Sequence, residues 1–246
     1  MTDSRSEFTE AAYRELLAVA REHYAFRTFS DALTMTDGVL WRHDIDVSPH
    51  RALALAHIES DAKAAATYFV HLHSTFYNAL EADVVSRLKD IASLGHAIGL
   101  HFDPQFNRLT PSDASALERA VALERDVLQS AVGVPVVALS FHDPDVAGFT
   151  EIRHDVVAGL VNAYGSSLRT SFAYCSDSNG YWRFKAIRDV LRERHPRVQV
   201  LTHPEWWVPD PMSPRDRIAR AIDGRAASAA KRYDDALRAL NRENRS

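Results

Sequence analysis

Cysteine is nearly absent. Cys175 is the only one in 246 residues, which excludes a disulfide framework and a thiolate zinc cluster. No apolar run approaches the roughly 18 residues that a membrane span needs, so no membrane partner is expected. A signal-peptide core is lacking too, since Met1-Thr2-Asp3-Ser4-Arg5-Ser6-Glu7 is polar; the expected location is cytoplasmic. Positive charge is not in excess. The net charge of −4 argues against general nucleic-acid binding. Repeats, low-complexity segments and linkers are missing, so one domain over residues 1–246 is expected, with its core at about 38–207.

What is present is a full core and many imidazoles: 46% hydrophobic residues and 12 histidines. Residues 7–26 read as an amphipathic helix through Phe8, Tyr13, Leu16, Leu17 and Ala20. Val39 to Asp46 reads as an apolar strand with an acidic tip. Ser48-Pro49 starts a helix to about Lys63, and Ala66 to Leu72 is a second strand. Leu80, Val84, Leu88, Ile91 and Leu94 form one helical stripe, ended by Gly95. His96 to His101 is a third strand. A helix from Ser112-Asp113 to near Gly133 leads to a fourth, Val134 to His142. A helix or strand near 153–163 and a strand near 169–175 are expected, then a helix from Arg183 to Glu193 and a last strand, Val198 to His203. Ser213-Pro214 opens a charged, loosely docked helix over about 213–242.

Alternating strands and helices with near-continuous apolar strands indicate an α/β fold with a parallel sheet. Six to eight strands suit an incomplete (β/α) barrel of about seven strands with flanking N- and C-terminal helices; a doubly wound sheet is the alternative. Either way the site is expected at the C-terminal strand ends. Asp44 and Asp46 sit two apart in an extended stretch, so both point one way. Such a pair needs a cation between its members, or a proton on one. Asp46 also reads as a helix cap before Pro49. Other strand ends offer His71, His73, His101, His142 and His203. Carboxylate with imidazole suits zinc first, or another divalent metal. Three protein ligands leave room for a water activated to attack a carbonyl carbon.

These residues resemble the polysaccharide deacetylase family, the NodB-homology domain of carbohydrate esterases. Arg42-His43-Asp44-Ile45-Asp46 is similar to its Thr-Phe-Asp-Asp motif. Gly95-His96-Ala97-Ile98-Gly99-Leu100-His101 resembles its Gly-His-Glu-Ile-Gly lead-in to the second motif. Ala66 to Val70 resembles its second strand, Asp177 with Trp182 its late Asp…Trp pair, and Leu201-Thr202-His203 its Leu-x-His. The resemblance implies a seven-stranded incomplete barrel and metal-dependent removal of an N-acetyl or related acyl group, often from a sugar. It implies Asp44 as general base, Asp46 and His101 as metal ligands and His203 as general acid.

The departures shape the remaining expectations. Ile45 separates aspartates that the family keeps adjacent, and Gln105 stands where its second histidine ligand would be. Ser140-Phe141-His142-Asp143-Pro144 replaces its arginine motif. His142 is therefore expected as the third ligand, with Gln105 or Asp103 as alternatives, or else as the group orienting Asp44. Asp177 is expected to orient His203. Trp182, Trp206 and Trp207, with His73, are expected to line the substrate pocket. The partner is a carbohydrate or small acylated substrate; the oligomeric state is left open. A noncatalytic binding relative and an amidohydrolase of a small cytoplasmic amide are the other functions considered.

Overall fold

A computed structural model describes residues 7–146, 148–182 and 185–245. Its strands are β1 (Phe26–Arg27), β2 (Gly38–Ile45), β3 (Thr67–His71), β4 (Ala97–Phe102), β5 (Val136–Phe141), β6 (Val156–Val157), β7 (Leu160–Asn162), β8 (Ala173–Ser176) and β9 (Arg197–Thr202). The helices are α1 (Glu10–His23), α2 (Pro49–Asp61), α3 (Ala82–Ser93), α4 (Ala114–Val132), α5 (Ser166–Ser171), α6 (Ile187–Arg192) and α7 (Pro214–Ala239).

The sheet runs β6-β7-β5-β4-β3-β2-β9-β8, with β1 alongside the start of β2. Every pairing is parallel except β6 with β7. β6 and β8 do not pair, so the curled sheet stays open: an incomplete (β/α) barrel with helices flanking both ends of the chain.

Strand alternation sorts side chains to two faces. Val39, Trp41 and Ile45 pack outward into the core shared with α1, α2 and α3. Leu40 joins Phe69, Ala138, Leu168 and Phe172 in a second core inside the curl. Gly99 lies opposite Phe69 in the ladder. A methyl there would approach the Phe69 ring to 2.6 Å, so the tight curl requires glycine at this position. In-register pairing brings β2, β3, β4, β5 and β9 to a common rim, where their polar tips meet.

Several boundaries differ from the sequence expectations. Leu80 lies before α3 and is exposed, so the buried stripe begins at Val84. The stretch 153–163 is the β6–β7 hairpin, and the strand expected near 169–175 is β8, which starts at Ala173 after the end of helix α5 at Ser171. α6 starts at Ile187; the expected start at Arg183 lies outside the described residues. Ser48, not Asp46, caps α2 by accepting from Arg51 N–H, which leaves Asp46 for the rim. α7 buries only Arg217, as its charge density foretold. Among the described residues no helix is long and apolar enough to cross a membrane.

Candidate metal centre

Period two along β2 sends Arg42, Asp44 and, just past the strand, Asp46 to the inner face. Asp44 is 1% exposed. Its Oδ2 accepts from Ser140 Oγ at 2.9 Å and lies 3.8 Å from Arg42 Nη2. Its Oδ1 is buried with no hydrogen-bond partner among the described residues. Arg42 is fully buried, donates to Tyr164 OH at 2.9 Å and lies over the Tyr164 ring. Burial opposes its charge, but Asp44 and Tyr164 more than compensate and raise its pKa.

Asp46, His101 and His142 converge. Asp46 Oδ1 is 3.1 Å from His101 Nε2 and 3.4 Å from His142 Nδ1, and those two nitrogens are 3.1 Å apart. Ligand atoms at about 2.0–2.2 Å from a tetrahedral ion stand roughly 3.3–3.6 Å from each other. The triangle is close to that size, and Asp46 Oδ1 is buried without a partner in hydrogen-bond geometry. Donor chemistry and spacing therefore fit a divalent ion. Burial opposes ionisation of Asp46, but His101, His142 and His203 hold its carboxyl well below the usual range. For His142, burial opposes the charged form and Asp46 restores it, raising the imidazole overall. A proton and a divalent ion thus compete for that nitrogen.

His71, which the sequence left without a role, is a fourth imidazole here. It pairs with His101 in the ladder, and its ring lies 4.4 Å from that of His142. Donor atoms of Asp46, His71 and His142 all lie within 4.8 Å of one another. Burial, then the neighbouring His101 and His142, press its pKa down to about 3, which keeps it neutral. The Tyr77 hydroxyl ties this corner together, accepting from His71 N–H at 3.1 Å and donating to the Ile45 carbonyl at 2.8 Å.

Across the rim, His203 Nε2 is 3.8 Å from Asp46 Oδ2. Its Nδ1–H donates to Asp177 Oδ1 at 2.7 Å. The other oxygen of Asp177 accepts from His203 N–H at 2.9 Å and from the Trp207 indole at 2.8 Å. Burial disfavours the imidazolium, yet Asp177, with Asp46 and Glu205 beyond, lifts His203 to about 10. Burial pushes Glu205 up to about 8, His203 opposing and Asp46 adding.

The expected pocket liners lie elsewhere. Trp207 has no exposed surface, Trp206 is 6% exposed, and Trp182 packs on Phe8. Trp207 serves as a donor that anchors Asp177, not as a wall. His73, past the end of β3, stacks on Phe106 and bonds Glu124 at 3.1 Å. Of the alternative ligands, Gln105 is exposed, and Asp103 Oδ1 accepts the Gln105 and Phe106 N–H groups. Ser140 and Arg42, not His142, flank Asp44. Arg42 and Ser140 were findable: Arg42 lies two residues before Asp44, and Ser140 two before His142.

No family model and no curated protein matches the chain by sequence. Solved structures of family 4 carbohydrate esterases are similar. A Streptococcus mutans esterase of that family is 13% identical over 87% of this chain and 90% of its own, with a TM-score of 0.48. The catalytic domain of a peptidoglycan N-acetylglucosamine deacetylase from Eubacterium rectale is 14% identical over 77% and 84%, with a TM-score of 0.46. A Bacillus anthracis pseudoenzyme of the same family is 13% identical over 79% of this chain and 60% of its own, with a TM-score of 0.40. The chain thus spans less than two thirds of that pseudoenzyme.

Proposed function

We propose that this chain is a metal-dependent hydrolase that removes an N-acetyl or related acyl group from a carbohydrate or sugar precursor. The observation that carries this reading is the triangle of Asp46 Oδ1, His101 Nε2 and His142 Nδ1, with edges of 3.1, 3.4 and 3.1 Å. Those three residues would hold the ion, and zinc is the first choice for one carboxylate and two imidazoles. When bound, a divalent ion there polarises the acyl carbonyl and lowers the pKa of water toward about 7.

The chain's own groups do the proton transfers. Asp44 takes the proton of the attacking water at Oδ1, the oxygen that Ser140 leaves free. Ser140 and Arg42 fix its orientation. His203 carries a proton at neutral pH and gives it from Nε2 to the departing nitrogen or oxygen. Asp177 holds the Nδ1–H and so presents Nε2 toward Asp46 and the rim.

Substituting His142→Ala tests the ligand set. Metal affinity is expected to fall by more than the 10–100-fold typical of outer-shell changes, read as ions per chain by elemental analysis. Unchanged stoichiometry removes His142 from the set. Asp177→Asn tests the acid. Removing the carboxylate that raises His203 lowers that pKa, so the alkaline limb of the rate profile moves to lower pH by about 1–3 units. A limb that stays in place excludes His203 as the proton donor.

A further inference from the structure

A cleft of about 800 Å³ opens between α7 and the α2–α3 face. Six arginines line it: Arg51, Arg87, Arg217, Arg220, Arg225 and Arg232. The chain as a whole carries −4, so this basic concentration is local. Part of it is neutralised. Arg51 pairs with Glu10 at 2.6 Å and Arg232 with Glu81 at 2.7 Å, and Arg225 also reaches Glu81. Arg87 donates to the Asp83 backbone carbonyl, and Arg220 is exposed on α7. Neither has a carboxylate within ion-pair distance among the described residues. His50 stands at the same place. Its imidazole is held below the ordinary range by burial and by Arg51, Arg87 and Arg220 together, so three cations bear on one point. Crowded like charges in a cleft create a positive potential that an anion relieves.

The cleft is built on the loops that carry the metal centre. Val47 and Ser48, in its wall, follow Asp46 directly. Glu205, also in its wall, lies two residues past His203. Tyr77, a third wall residue, bonds the His71 N–H and the Ile45 carbonyl. The segments that form this wall of the cleft therefore lead directly into the metal centre. A planar guanidinium fork binds two oxygens of a carboxylate or a phosphate alike, but several forks crowded together suit the three oxygens and near-double charge of a phosphate group. Phe76 and Ile222, both partly exposed in the cleft, add an apolar surface beside them.

We propose that this cleft binds a phosphate group of the substrate, so that the acylated sugar is phosphorylated or nucleotide-linked. This rests on the hydrolase reading above and adds its substrate class. The test is calorimetric titration of the full, zinc-loaded chain with inorganic phosphate and with uridine diphosphate. Saturable binding is expected, weakened by rising salt and at least tenfold weaker in the Arg87→Ala/Arg220→Ala double variant. Tighter uridine diphosphate than phosphate indicates a nucleotide-linked substrate; equal affinities indicate a simple sugar phosphate. Ile222→Glu, at a half-exposed site, puts a carboxylate in the cleft and is expected to weaken both probes likewise. Absent binding, or binding unchanged in both variants and so located at the metal donors, overturns the proposal. Competitive inhibition of deacylation by the tighter probe is expected, and a noncompetitive pattern overturns the substrate assignment. Should the chain hydrolyse no acyl group, the titration still reads the cleft, so the two readings fail separately.

Discussion

Asp44→Asn is expected to lower kcat by about 10²–10⁴-fold while leaving ions per chain unchanged. The substitution keeps shape and removes basicity. Asp44 is buried, one oxygen takes the Ser140 hydroxyl, and the other has no partner. An amide satisfies Ser140 but accepts no proton from water. Asp44 also stays off the triangle: its Oδ2 lies 3.6 Å from His101 Nδ1, the ring nitrogen that does not face Asp46. Elemental analysis beside steady-state rates separates the roles. A coupled loss of metal makes Asp44 a ligand. An unchanged rate excludes it as the base.

Glu59→Ala is expected to destabilise the fold by about 3–5 kcal/mol, because it removes a buried carboxylate at the centre of several hydrogen bonds, and each hydrogen bond to a charged group is worth about 1.5–3 kcal/mol. Glu59 has no exposed surface. Its Oε1 meets His43 Nε2 at 2.5 Å and accepts from the Tyr13 hydroxyl; its Oε2 accepts from Tyr68 OH at 2.6 Å. His43 continues to Thr202 Oγ1 at 2.7 Å, and Trp41 donates to Tyr13 OH at 2.7 Å. One carboxylate thus joins α1, α2, β2, β3 and β9 on the outer face of the sheet. Truncation leaves an imidazole and two hydroxyls buried without their acceptor. Urea unfolding measures it. Burial opposes the Glu59 charge, but His43 first, then His96 and Tyr13, holds the carboxyl below its ordinary range. The stability it supplies is therefore present above that range and is lost as pH falls toward the folded-state pKa. A change under about 1 kcal/mol would show that the network is dispensable.

The inner face of the barrel was legible because two-residue alternation and strand ends carry the information locally. Asp44, Asp46, His101, His142 and His203 do meet at one rim, and capping by Asp113 and the left-handed Gly133 bound α4 where composition placed them. What was missed depends on register between strands. Alternation alone would put His71 and His73 on one face; β3 ends at His71, which pairs with His101, and the chain beyond it carries His73 to Glu124 and Phe106. The tryptophans look like a sugar platform in composition, yet Phe8, just before α1, packs on Trp182 and Trp207, and Trp206 and Trp207 are core. Residues 153–176 carry short, mixed signals, and their hairpin and helix are set by packing on β5 and β9. The arginine cleft is invisible to a linear reading, since α7 reaches it from the far end of the chain.

Anomalous scattering from crystals grown with zinc tests the central claim most directly. The prediction is one ion at about 2.0–2.2 Å from each of Asp46 Oδ1, His101 Nε2 and His142 Nδ1. An anomalous peak elsewhere, or a metal-free site with those three atoms still in contact, would contradict it.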